Sequence, residues 1–269
     1  MSRLDETFQR LKAARRKALV TYISAGDPGL RATVPAMHTL VSAGADIIEL
    51  GLPFSDPEAD GPSIQAAYER ALAVGTNLSR VLAIVAEFRG RNRETPVVLM
   101  GYLNNVERMG YATFADRAHE AGVDAVLMVN LPPEEATDLK SELERLDISL
   151  IFLVAPTTTR ARAELIAGQA SGFIYYVTLK GVTGASHAVV DDVMRRIEPL
   201  RGLSDLPIVV GFGIKNAQSA ADFAIAADGV VVGSVLVDIM GAHAGSEEAI
   251  FPELAKCVGA MRAAMDANA

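Results

Sequence analysis

The chain has 269 residues, 50% of them hydrophobic and 22% charged, with 22 Gly and 12 Pro, a make-up that fits a folded globular protein and excludes disordered, collagen-like or mucin-like chains. Its formal charge of −8 would repel a phosphate backbone, and no basic run beyond Arg15, Arg16 and Lys17 offsets this, so nucleic acid is excluded as a partner. The single cysteine, Cys257, cannot form an internal disulfide, and no His/Cys cluster has metal-ligand spacing, so no metal is expected. No apolar run reaches the ~18 residues of a membrane span, and Asp5 and Glu6 stand where a secretion signal would be apolar. These features point to a cytoplasmic protein that does not engage a membrane.

In chain order, a helix is expected over Arg3 to Arg16, followed by short apolar runs at Ala18 to Ser24, Asp46 to Gly51, Pro96 to Gly101, Ala125 to Val129, Ser149 to Val154, Gly172 to Val177, Pro207 to Gly211 and Gly229 to Gly233. Between them lie stretches of helical periodicity such as Tyr111 to Ala121, Pro133 to Leu146 and Ala217 to Ala226, with Pro252 to Met265 as the last. Eight strand-like runs alternating with helices predict a closed (β/α)8 barrel, a single domain over residues 1–269. An open doubly wound sheet fits less well, because no G-x-G-x-x-G follows the first strand. The first helix would then plug the bottom of the barrel.

Barrel active sites lie at the C-terminal strand ends. Glu49 interrupts the apolar run Ile47-Ile48-Glu49-Leu50-Gly51; facing inward it would have a raised pKa, facing outward it would pair with a helix residue. The link from Leu52 to Ser63 is long, with three prolines and the acids Asp56, Glu58 and Asp60, and long strand-end loops carry function. Asp60 precedes Gly61-Pro62 and reads either as a second working carboxylate or as a simple helix cap. After the seventh and eighth strands, Gly211-Phe212-Gly213-Ile214 and Gly233-Ser234 offer backbone N–H groups and a hydroxyl to a phosphate, although a tight turn explains the glycines equally well. Lys180 to Ala185 is a glycine-bounded loop that either closes over a ligand or is ordinary connecting chain. His38, His119, His187 and His243 have no partners at triad or metal spacing, and Tyr102 and Tyr175 fall at strand ends as pocket or core aromatics.

The strings Ile48-Glu49-Leu50-Gly51-Leu52-Pro53-Phe54-Ser55-Asp56-Pro57 and Ala59-Asp60-Gly61-Pro62-Ser63-Ile64-Gln65 closely resemble the signature of the tryptophan synthase alpha subunit family. Ala25-Gly26-Asp27-Pro28, Met100-Gly101-Tyr102-Leu103-Asn104, Leu131-Pro132-Pro133-Glu134-Glu135 and Gly181-Val182-Thr183-Gly184 are similar to it in the same order. The resemblance implies a lyase that splits indole-3-glycerol phosphate into indole and glyceraldehyde 3-phosphate, in the last step of tryptophan biosynthesis. It implies Glu49 as general acid/base and Asp60 as the second catalytic carboxylate. Tyr22, Ile64, Met100, Leu127 and Tyr175 match the indole pocket, while Thr183, Gly184, Phe212, Gly213, Gly233 and Ser234 match the loop and phosphate positions. No cofactor is implied in this chain; pyridoxal phosphate belongs to a beta subunit that receives the indole in an alpha2beta2 heterotetramer. Contact with that partner is expected through Pro53, Phe54, Asp56, Pro57, Asn104 and Pro132, the first two as exposed apolar residues of the rim. Glu58, Asn105, Asn130 and Leu179 depart from the family's usual residues. Fold and phosphate loops alone would also suit a sugar-phosphate or indole-precursor isomerase, or an activating partner without turnover.

Overall fold

The structure is a computed structural model and describes residues 2–178, 187–211 and 213–267. The strands are β1 (Ala18–Ser24), β2 (Ile47–Gly51), β3 (Val97–Gly101), β4 (Ala125–Met128), β5 (Ser149–Leu150), β6 (Phe152–Val154), β7 (Ile174–Val177), β8 (Ile208–Gly211) and β9 (Gly229–Val232). They form one parallel sheet in the order β5-β4-β3-β2-β1-β9-β8-β7-β6. The two edges are consecutive pieces of chain separated by Ile151, whose N–H donates to Val126 O at 2.9 Å. The expected fifth run is therefore two short strands, one paired with β4 and the other with β7, and through them the sheet closes into the (β/α)8 barrel. Nothing in Ser149-Leu150-Ile151-Phe152 marks the change of partner, because every residue there suits a strand buried on both faces.

Alternate residues of each strand serve two cores. Val20, Tyr22, Ile47, Val98, Leu127, Ile151, Tyr175 and Val209 fill the barrel interior. Leu19, Ile23, Ile48, Leu50, Leu99, Val126 and Val210 face the surrounding helices, which is why the runs read as continuously apolar. Helix α1 (Arg3–Ala13) closes the bottom: Leu4 and Leu11 are buried in the interior cluster, and the Phe8 ring meets Phe173 edge-on at 5.9 Å. It ends before the expected Arg16 because Arg15 adopts φ 55 and Arg16 N–H returns to Leu11 O.

The outer helices in chain order are α2 (Thr33–Ser42), α3 (Pro62–Ala73), α4 (Leu78–Arg89), α5 (Leu103–Met109), α6 (Tyr111–Ala121), α7 (Thr137–Glu144), α8 (Arg160–Gln169), α9 (His187–Arg201), α10 (Ala217–Ala226), α11 (Ser234–Ala242) and α12 (Glu247–Ala267). Two of the expected spans match α6 and α10 to the residue. The expected helix from Pro133 to Leu146 is a 3-10 turn over Pro133–Glu135 followed by α7, and α12 begins before Pro252. Among the described residues no single helix is long and apolar enough to cross a membrane.

At the N-terminal face, aspartates that immediately precede β2, β4 and β9 reach across to the neighbouring strand. Asp46 accepts from Leu19 N–H at 2.9 Å, Asp124 from Val97 N–H at 2.7 Å, and Asp228 from Ile208 N–H at 2.9 Å. Each is also paired with an arginine: Arg262 with Asp46, Arg89 and Arg3 with Asp124, and Arg201 with Asp228.

Candidate active site

Glu49 takes an inward position on β2, in register between Tyr22 of β1 and Val98 of β3. Its side chain is buried, and among the described residues neither carboxylate oxygen has a hydrogen-bond partner. Burial first, and the nearby Asp60 charge second, push its pKa up to about 8, so the neutral acid is the resting form at pH 7. The outward, helix-paired alternative is excluded.

Asp60 is held by the turn Pro57–Asp60, where its N–H bonds Pro57 O at 3.0 Å. Gly61 is the N-cap of α3 and Pro62 its first residue, so Asp60 is not the cap. Its Oδ2 accepts the Tyr102 hydroxyl at 2.8 Å, and the same Tyr102 oxygen accepts Ala59 N–H at 3.0 Å. Tyr102 in turn stacks on Phe54, with centroids 4.9 Å apart and planes at 23°. The two acids therefore sit in unlike surroundings, one buried without a hydrogen-bond partner among the described residues, one hydrogen-bonded.

Both face a cavity of about 590 Å³ at the C-terminal end of the barrel. Of the expected positions, Tyr22, Ile64, Met100, Tyr175, Gly213, Gly233 and Ser234 line it together with Glu49 and Asp60. Leu127 does not line it; it is wholly buried in the interior layer, paired in register with Met100. Thr183, Gly184, Phe212 and Leu179 lie outside the described residues. Val129, Leu153, Val177 and Val231 also form the wall and were missed from sequence. Their signal is parity: each has the same strand phase as Leu127, Ile151, Tyr175 and Val209, which point inward. Glycines at the strand ends leave room for the aromatic walls, since a Cβ at Gly211 would lie 2.3 Å from the Tyr175 hydroxyl. In the same cavity wall, Gly233 caps α11 and Ser234 begins it, presenting the first amides of a nine-residue helix, and Gly213 lines the cavity as well.

At the rim, Asp56, Asn104 and Pro132 are exposed and Pro57 is half-buried, but Pro53 is buried and Phe54 half-buried against Tyr102, so the expected exposed apolar pair is absent. Asn130 accepts Leu103 N–H at 2.8 Å and donates to Asn104 at 3.2 Å, while Asn105 donates to Pro53 O at 3.4 Å. Two of the departures from the family pattern thus tie the rim loops together, and Glu58 is exposed. His38 packs on Phe88 at 4.8 Å, and burial lowers its pKa. His119 Nδ1 lies 3.2 Å from Leu146 O. Among the described residues no cluster of three or more His, Cys, Asp or Glu side chains is arranged to hold a metal ion.

A closed (β/α)8 barrel with two carboxylates of unlike environment at its C-terminal mouth defines a barrel enzyme built for proton transfer. The family model for the tryptophan synthase alpha chain matches residues 8–266. The alpha chain of Nitrosococcus oceani is 54% identical over 268 residues, covering 100% of this chain and 99% of that one. That of Methylococcus capsulatus is 54% identical over 267 residues, covering 99% and 100%. The crystal structure of tryptophan synthase subunit alpha from Legionella pneumophila superposes with a TM-score of 0.92 at 42% identity, covering 99% of each chain. The chain belongs to the tryptophan synthase alpha chain family, a lyase family of tryptophan biosynthesis.

Proposed function

We propose that this cavity cleaves indole-3-glycerol phosphate to indole and glyceraldehyde 3-phosphate by a retro-aldol step. The observation that carries the reading is the contrast between Glu49, buried, without a partner among the described residues and neutral at pH 7, and Asp60, which accepts the Tyr102 hydroxyl. Cleavage requires a proton on the indole carbon that leaves and removal of one from the hydroxyl on the carbon that becomes the aldehyde. Neutral Glu49 donates the first, and its carboxylate takes the second, which restores the acid. As the ring carbon is protonated, positive charge develops at the ring nitrogen; Asp60 stabilises it there, more strongly in the transition state than in the substrate. Tyr22, Ile64, Met100 and Tyr175 supply the walls of the aromatic pocket, and the α11 N-terminus with Gly213 supplies amides for the phosphate.

The family name also implies a beta subunit, to which pyridoxal phosphate chemistry belongs. The exposed Asp56, Asn104 and Pro132, on neighbouring rim loops, are the surface we assign to it, in an alpha2beta2 assembly. The direct test is incubation of the purified chain with indole-3-glycerol phosphate, with free indole and triose phosphate measured separately. Equimolar release of both is expected, and faster release with a cognate beta subunit. Isomerised substrate without indole would favour the isomerase reading instead.

A further inference from the structure

Tyr22 is a wall of the cavity, yet its hydroxyl serves the scaffold. Its ring lines the site, while Oη donates to Tyr68 Oη at 3.0 Å and lies 3.3 Å from Ser24 Oγ, all three groups being buried. The ring is confined at both ends: a Cβ at Gly51 would sit 2.2 Å from the hydroxyl, and one at Gly233 would sit 3.4 Å from Tyr22 Cβ. Tyr68 belongs to α3, the helix that starts two residues after Asp60 and carries Ile64 on the cavity side. Tyr22 is the register partner of Glu49. One hydroxyl pair thus joins the helix behind one carboxylate to the strand residue beside the other. Tyr68 itself is not part of the cavity wall.

We infer that Tyr68 is a positioning residue for the aromatic subsite: its hydroxyl, through that of Tyr22, fixes the Tyr22 ring and so sets how tightly the site holds a flat aromatic ring. The inference rests on the proposed reaction for its substrate class. A phenylalanine at either position would keep the ring and remove only the bond, leaving the aromatic free to tilt against its neighbours. Loss of one such bond corresponds to a ~2- to 10-fold change in affinity. Because a single bond is at stake, removing both partners should cost no more than removing one.

The experiment uses the full chain and indole-3-propanol phosphate, which keeps the ring and phosphate but has no hydroxyl to cleave, with calorimetric Kd beside steady-state kinetics on indole-3-glycerol phosphate. Tyr68→Phe should weaken the analogue's binding and raise KM by about 3- to 10-fold, with kcat within about twofold because neither carboxylate is altered. Tyr22→Phe should match it, and the double variant should equal either single one. Ser24→Ala, which removes the longer contact, should have a smaller effect. If Tyr68→Phe does not fold, Tyr22→Phe reads the same bond from its other end. An unchanged Kd with altered melting temperature would make the pair merely structural, and additive effects would show that the hydroxyls act separately; either result overturns the inference. A wild-type chain that binds the analogue but releases no indole would defeat the proposed reaction while leaving the Tyr68 test readable. A chain that does neither defeats both.

Discussion

Two buried carboxylates at opposite ends of the barrel, Asp124 and Glu49, are treated in opposite ways. At the N-terminal face Asp124 is buried but saturated: Arg3 at 2.7 Å, Arg89 at 2.6 Å and Val97 N–H at 2.7 Å all donate to it. At the C-terminal face Glu49 is buried about as deeply and has no donor among the described residues. The same residue chemistry therefore clamps strands at one end and keeps a carboxyl protonated at pH 7 at the other. An unpartnered acid is costly to keep; even at this face buried Asp27, just after β1, is paired with Arg70 at 2.6 Å, so the uncompensated carboxyl is particular to Glu49.

The largest expected effect breaks this comparison at Glu49. Glu49→Gln keeps the shape and removes the titrating proton, so kcat should fall by about 10³-fold or more. Stability should move the other way. The carboxyl titrates near 4.5 when unfolded and at about 8 when folded, so its contribution is intact below pH 4.5 and is lost as pH rises towards 8. At pH 7 the glutamine variant should gain up to about 3 kcal/mol, a gain that vanishes in acid. Urea titrations at pH 4 and pH 7 would check it; a variant that is less stable at pH 7 would mean that Glu49 is not an uncompensated acid. The same titration sets the rate profile. If Glu49 must begin protonated, kcat should decline about tenfold per unit above a pH of about 8. A flat alkaline limb to pH 9.5 would remove it as the donor.

Asp60→Asn should lower kcat by about 10²-fold with a smaller change in KM, because the charge is needed most as the ring nitrogen becomes electron-poor. A change in KM alone would make Asp60 a binding residue. At the opposite face, Asp124→Ala strips two arginines and a backbone N–H of their acceptor and should cost about 3 to 5 kcal/mol, while kcat per folded molecule stays unchanged. Loss of activity without loss of stability there would erase the division between the two ends.

Much of this division can be read from the chain. Glu49 stands out because a charge inside an otherwise apolar strand either faces something special or is costly, and the Asp60 motif and strand-end glycines place the mouth. The walls at Val129, Leu153 and Val177 needed strand phase as well as strand position. The rim could not be read: Pro53 and Phe54 look exposed until Tyr102, far along the chain, covers Phe54. The clamps are half visible. An aspartate directly before a strand recurs at Asp46, Asp124 and Asp228, but the arginines that complete each one come from distant helices, and only folding brings them together.

The smallest expected effect sharpens the comparison within the N-terminal face. Asp228 makes the same clamp as Asp124, with Ile208 N–H and Arg201 Nη1 both at 2.9 Å, but its side chain is 32% exposed and that of Arg201 37%, against 3% for Asp124. Water replaces most of what an exposed carboxylate loses, so Asp228→Ala should cost only about 1 kcal/mol, most of it from the amide hydrogen bond. Part of that cost should shrink in molar salt, because the exposed ion pair is screened, whereas the cost of Asp124→Ala should hardly change. Paired denaturation curves at low and high salt separate the two positions. Equal losses at Asp124 and Asp228 would show that the strand-to-strand hydrogen bond, and not the burial of the charge, is what the N-terminal face relies on.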